Sequence, residues 1–291
     1  MGIIASYSFA LAATDFQAIH DMPTMRPVKR WEISSTSLGA GMKNESVARA
    51  LWWPCLVLAP AALIGLELFH PEQFTTDPGM YQYLCKPEPG DWAHAALAYP
   101  GPRWWFMLHA LQTPLIGLVA VGLWLLVRPI GDLDAPLPVA LAWLSRAATL
   151  IFLLYYTALD SIDGTGLGRL IINTAALNAD GRLTADQVDG IALLLNTTWV
   201  DPWVGGMDSF ISETGSFAVL AASLLAAAAL YLAGKATLPP LILLAAFGWV
   251  LQTSHASPRG PIAFALLIAA ALWMWWARGP SANMAAARTG A

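Results

Sequence analysis

The stretch WWFMLHALQTPLIGLVAVGLWLLV, residues 104–127, runs for 24 residues without an Asp, Glu, Lys or Arg. At 1.5 Å per residue such a run, as an α-helix, covers the roughly 30 Å of a bilayer's hydrocarbon core. Five further apolar runs of similar character follow from the same reading, at about 50–69, 137–160, 209–233, 238–255 and 260–277. Pro239-Pro240 opens the shorter fifth run. The composition agrees: 57% of the chain is hydrophobic and 12% charged, against about 25% charged in a soluble domain. The expected fold is therefore all-α, a polytopic membrane bundle of about six transmembrane helices.

Lys and Arg placement orients it. With the N-terminus on the cytoplasmic side, Arg26, Lys29, Arg30, Lys43, Arg49, Arg128, Lys235, Arg278 and Arg288 lie inside, and Lys86, Arg103, Arg169, Arg182 and Arg259 outside. Arg146 lies one or two turns into the third helix from its inner end. Six crossings return the C-terminus to the cytoplasm, as in a bacterial inner-membrane protein. Trp52, Trp53, Trp104, Trp105, Trp273, Trp275 and Trp276 fall near helix ends, where an aromatic belt is expected. A net charge of −4 argues against nucleic acid as a partner and leaves membrane lipid or another membrane protein.

The helical domain spans 49–278, with tails at 1–48 and 279–291. The N-terminal tail reads as disordered or as an over-long gene start, with Met42 before Lys43 as an internal alternative. Met1-Gly2 with Ser6 fits the short myristoylation pattern. The proline-rich outer loop 70–103 reads as irregular structure over the helix ends. In the outer loop 161–208, Thr184 and Gln187 form a capping box. Val188, Ile191, Ala192 and Leu195 recur at i, i+3, i+4 and i+7, so an amphipathic helix is expected to cover the bundle from the extracytoplasmic side. Cys55 and Cys85 differ in depth and are not expected to pair. Ala218, Ala222 and Ala226, spaced by four, suit close helix approach.

The polar residues gather at the outer ends of the spans. His109 lies about five residues inside the second helix, roughly 8 Å deep, with Gln112 and Thr113 on its face. Tyr156, Asp160 and Asp163 share a face of the third helix. Ser209, Glu213 and Ser216 share one on the fourth, and Gln252, His255 and Arg259 on the fifth. Glu67 and His70 end the first. Ionisable groups are costly in lipid, so their convergence at one depth marks a candidate site. His109, Asp160, Asp163, Glu213 and His255 are the candidate ligands for a divalent metal. Asp160, Glu213 and His109 are the candidate acid–base groups. Haem between His109 and His255 is the less favoured cofactor. A structural network, with Asp160 and Asp163 paired to Arg169 or Arg259 and Glu213 favoured by a helix dipole, explains the same residues without chemistry.

Three local patterns carry less. Residues 176–187 resemble the middle of an EF-hand loop but lack its first acid and its bidentate Glu. The run Gly164-Thr165-Gly166-Leu167-Gly168 is expected to bend or unwind the third helix. Asn196-Thr197-Thr198 is a glycosylation sequon. The functional expectation is an outward-facing polar pocket in a membrane-embedded enzyme for a lipid or apolar substrate. The rivals are a non-catalytic partner subunit or a transporter; polar groups confined to one face and the lack of a repeat disfavour the latter.

Overall fold

A computed structural model describes residues 46–70, 102–131, 133–206 and 208–289. Most of the N-terminal tail and of the 70–103 loop, with the myristoylation pattern, Met42 and Cys85, lies outside the described residues. Among the described residues every regular element is helical. They are α1 (Ser46–Glu67), α2 (Pro102–Val127), α3 (Pro136–Leu159), α4 (Leu167–Ala179), α5 (Ala185–Trp199), α6 (Phe210–Leu232), α7 (Leu238–Thr253) and α8 (Arg259–Thr289). Five spans are long and apolar enough to cross a membrane, and α7 is a shorter apolar helix. Only 33–44% of the most apolar windows in those five is buried, so most of their apolar side chains face outward, as lipid contact requires. Leu144, Leu154, Ile242 and Trp249 are examples of exposed apolar residues.

The packing closes a ring. α1 lies against α2, α2 against α3, α3 against α6, α6 against α7, α7 against α8, and α8 returns to α1. Phe152, Phe247, Phe264, Leu123 and Leu244 fill its core. α6 meets its neighbours through small residues. Ala222 and Ala226 are fully buried, and the Ser145 hydroxyl of α3 donates to the Ala222 carbonyl at 2.9 Å. A Cβ on Gly248 of α7 would stand 2.6 Å from Ser223 Oγ. Small side chains let these backbones approach closely. At the other end Arg146 lies over the Trp143 ring, 4.7 Å from its centroid, with its guanidinium 3.5 Å from the last α2 carbonyl, that of Val127.

The third span departs from expectation. Its glycine run does not break it: α3 continues through a π-helical segment, Asp160–Gly166, into α4, giving one continuous helical rod of 44 residues, Pro136–Ala179. With α5, this makes most of residues 161–199 helical. The EF-hand-like segment is the turn after α4. Gly181 adopts φ +67°, its N–H donates to the Asn178 carbonyl, and the Arg182 N–H donates to the Leu177 carbonyl. That pattern is a Schellman stop, for which glycine is the usual residue. Asn196 lies within α5 with its side-chain oxygen buried. The C-terminal segment 279–289 continues α8 as helix.

The α5 helix begins as its sequence suggests. Gln187 N–H donates to Thr184 Oγ1 at 3.3 Å and Thr184 N–H donates to Gln187 Oε1 at 2.9 Å. Val188, Ile191, Ala192 and Leu195 pack on a small second core with Trp105, Leu167, Ile171 and Trp199. Loss of such a cap costs about 1 kcal/mol. Thr184→Ala is therefore expected to lower the melting temperature in detergent by roughly 2–4 °C; an unchanged melting curve contradicts the cap's contribution.

Candidate metal centre

One end of the ring holds the polar residues. α1 ends at Glu67, and His70 follows three residues later, its N–H donating to the Glu67 carbonyl. α2 supplies Trp105, His109 and Gln112. The α3 rod supplies Tyr156 and, from its π-helical segment, Asp160 and Asp163. α6 supplies Glu213 in its first turn, behind the Ser209 cap. The loop between α7 and α8 supplies His255, and the Ser257 N–H ties that loop to the His70 carbonyl at 3.1 Å. His70, Trp105, His109, Tyr156, Asp160, Asp163, Glu213 and His255 all line one cavity of about 140 Å³.

Within it His70, His109 and His255 form the compact group of donor atoms. One ring nitrogen from each lies within 4.8 Å of the others. The His70 ring sits 4.8 Å from that of His255 and 5.3 Å from that of His109, centroid to centroid. The tautomer of His109 follows from its partner. His109 Nδ1 is 2.8 Å from the Trp105 carbonyl, and a carbonyl only accepts. Nδ1 therefore carries the proton and Nε2 keeps its lone pair, the usual preparation of a histidine for a metal. A haem between His109 and His255 conflicts with His70, whose ring packs against both.

The carboxylates differ in their surroundings. Asp160 is buried and lies 3.3 Å from the Thr113 hydroxyl. That hydroxyl is also 3.0 Å from the His109 carbonyl, and its one proton serves a single acceptor at a time. Asp163 is 3% exposed, and neither carboxylate oxygen has a hydrogen-bond partner among the described residues. Its backbone carbonyl, by contrast, accepts from Trp105 Nε1 at 2.9 Å. Arg169 lies over the Phe106 ring, 5.5 Å from its centroid.

Two residues read differently here than in the sequence. Trp105 is 2% exposed. It belongs to the site and not to an aromatic belt, because its ring fills the space between His70, His109 and Trp199. His70 stands with Glu67 at i+3 in the sequence, and that shared face was the only sign of it. The sequence could not show that its ring turns toward His109 and His255.

The glycine run also finds its use. A Cβ on Gly164 would overlap the Cβ and ring of His109. Glycine at this point of the π-helical segment is what lets the α3 rod pass against the imidazole of α2.

His255 lies outside the spanning segments, and burial lowers its pKa from 6.5 to about 4. Above pH 6.5 the ring is neutral whether the chain is folded or not. Between pH 6.5 and 4 the unfolded chain takes up a proton at His255 that the folded one refuses, so this group's contribution to stability falls with pH across the window. The metal-free protein is therefore expected to lose melting temperature relative to His255→Gln as pH falls from 6.5 to 4. An equal slope in the variant assigns the effect to other groups.

The chain matches no protein-family model, no curated protein and no solved structure.

Proposed function

We propose that this chain is a metal-dependent hydrolase of the membrane, acting on a lipid or other apolar substrate. The observation that carries this reading is the trio of imidazoles beside a buried carboxylate, Asp163, that has no hydrogen-bond partner among the described residues. Three protein nitrogens suit zinc or a neighbouring first-row ion and leave a coordination position open for water. A bound ion of this kind brings the pKa of water to about 7. Asp163, which lines the same cavity, would take the proton as the water oxygen bonds to an acyl carbon. That proton then goes to the leaving group as the scissile bond breaks. Asp160 and Glu213, on other walls of the cavity, are the further acid–base candidates. Trp105, Phe152, Leu159, Ile211, Val219 and Leu251 give part of the lining an apolar surface, beside polar groups such as Ser212, Ser216 and Gln252; that apolar part suits an acyl chain.

The excess of Lys and Arg at the opposite end supports placing this cavity on the extracytoplasmic side, with both termini in the cytoplasm. α5 then covers the cavity side of the bundle and limits the entry of bulk water.

The test is hydrolysis of 4-nitrophenyl acyl esters by the full chain in detergent, with zinc present. Turnover is expected to require zinc, to favour long acyl chains, and to vanish in His109→Ala and Asp163→Asn. A zinc-loaded protein that hydrolyses no ester of any chain length, and changes nothing in a total membrane-lipid extract, overturns the hydrolase reading. A stable complex with a second membrane protein in that inactive preparation would instead favour a partner subunit.

A further inference from the structure

Behind the metal-ligand group lies a second polar assembly that the proposed chemistry does not yet use. Glu67 of α1 is fully buried, as is Gln112 of α2, and neither is part of the cavity lining. Gln112 Nε2 lies 2.7 Å from Glu67 Oε1 and is also hydrogen-bonded to the phenol oxygen of Tyr156. One nitrogen makes both contacts, and it has two protons to give. Glu67 Oε1 accepts from that nitrogen, whether as a carboxylate oxygen or as the carbonyl oxygen of the neutral acid, so the nitrogen is the amide donor. Its second proton therefore goes to the Tyr156 oxygen.

The Tyr156 oxygen thus already accepts a hydrogen bond, so its own O–H proton is left to donate elsewhere. Tyr156 lines the cavity, and its ring lies 5.4 Å from that of His255. We infer that Tyr156 is the hydrogen-bond donor to a substrate oxygen held at the three-histidine centre, and that Gln112, anchored by Glu67, is the positioning residue that turns its proton into the cavity. This inference rests on the metal-centre reading above and adds to it the group that meets the acyl oxygen, which gains negative charge in the reaction. A prepositioned donor aimed at such an oxygen is the usual device for stabilising it. An apolar residue at Gln112 would serve packing as well, whereas a donor with two acceptors serves orientation.

The test uses the full chain in detergent loaded with Co²⁺, whose visible band reports on ligands at the ion. Two probes are titrated, acetohydroxamate and imidazole. Both bind the metal, but only the hydroxamate offers a charged oxygen to a neighbouring donor. Tyr156→Phe is expected to keep the Co²⁺ band and the imidazole affinity, and to weaken hydroxamate about ten- to hundredfold, the value of one hydrogen bond to a charged group. Gln112→Met, which keeps the phenol but removes the group that orients it, is expected to weaken hydroxamate selectively and by less. Equal hydroxamate affinity in Tyr156→Phe and wild type overturns the role of Tyr156 and leaves the metal centre standing. So does a matching loss for both probes, which marks a packing defect. If the wild-type chain takes up no Co²⁺, the metal reading fails and the Tyr156 role falls with it.

Discussion

His70→Ala, His109→Ala and His255→Ala are each expected to abolish the binding of one divalent ion per chain, read as metal content after purification in a gentle detergent. The three side chains come from separate parts of the ring, the end of α1, the first turns of α2 and the α7–α8 loop, and offer nitrogens within 4.8 Å of one another. Removing one leaves two, too few to hold an ion against dilution without help from the carboxylates. The fall should exceed the roughly 10–100-fold that follows loss of an outer-shell partner. Carboxylate variants separate the roles. Glu213→Gln should retain the metal, because Glu213 lies outside the compact donor group. Wild-type protein with no bound zinc, iron, manganese, cobalt or copper, even after exposure to each, overturns the metal centre. Loss in Glu213→Gln and retention in His70→Ala would move the ligand set to the carboxylates.

Gly164→Ala is the second large effect. The added methyl has nowhere to go, since its position overlaps the His109 ring. That ring is held from behind by the 2.8 Å hydrogen bond to the Trp105 carbonyl. Either the π-helical segment shifts away from α2 or His109 leaves its rotamer. Overpacking of this sort costs about 1–3 kcal/mol, and either response moves His109 Nε2 relative to the other two imidazoles. The variant is expected to melt lower and to bind metal at least tenfold more weakly, comparable to the loss of an outer-shell partner. Gly181→Ala is the control: it strains a left-handed turn where nothing lies within 4 Å of the added Cβ. It should lose stability and keep the metal. Full metal affinity in Gly164→Ala would show that α3 and α2 have slack at this contact.

Much of the fold was legible because it depends on features that recur along the chain. The length of an uncharged run sets whether a helix can cross a bilayer, and 104–127 meets that condition without reference to any other residue. The α5 cap needs only Thr184 and Gln187, three apart. The small face of α6 needs only Ala218, Ala222 and Ala226, four apart. Depth could likewise be counted, which is why His109, Asp160, Asp163, Glu213 and His255 were grouped, and all five line one cavity.

What depth cannot supply is rotation about each helix axis and contact between helices far apart in sequence. Trp105 and His109 share a face of α2, but whether that face meets lipid or protein depends on what packs there. Trp105 sits in sequence where a membrane-edge tryptophan is expected and is instead buried among the rings of His70, His109 and Trp199. His70 follows the end of α1 and turns inward because the α7–α8 loop hydrogen-bonds its carbonyl, a contact across 187 residues. The glycine run could be read only as a weak point until His109 stood beside it.

By itself the sequence determined that this is an all-α chain with membrane-spanning character, where its helices begin, and at which end its ionisable residues lie. These follow from period, length and the free energy of placing charge in lipid, all local quantities. Only the tertiary structure decided that the third imidazole is His70, that Gly164 admits the ring of His109, and that Gln112 joins Glu67 to Tyr156. Each depends on the closure of six helices into a ring, and a contact made by closure leaves no period in the chain.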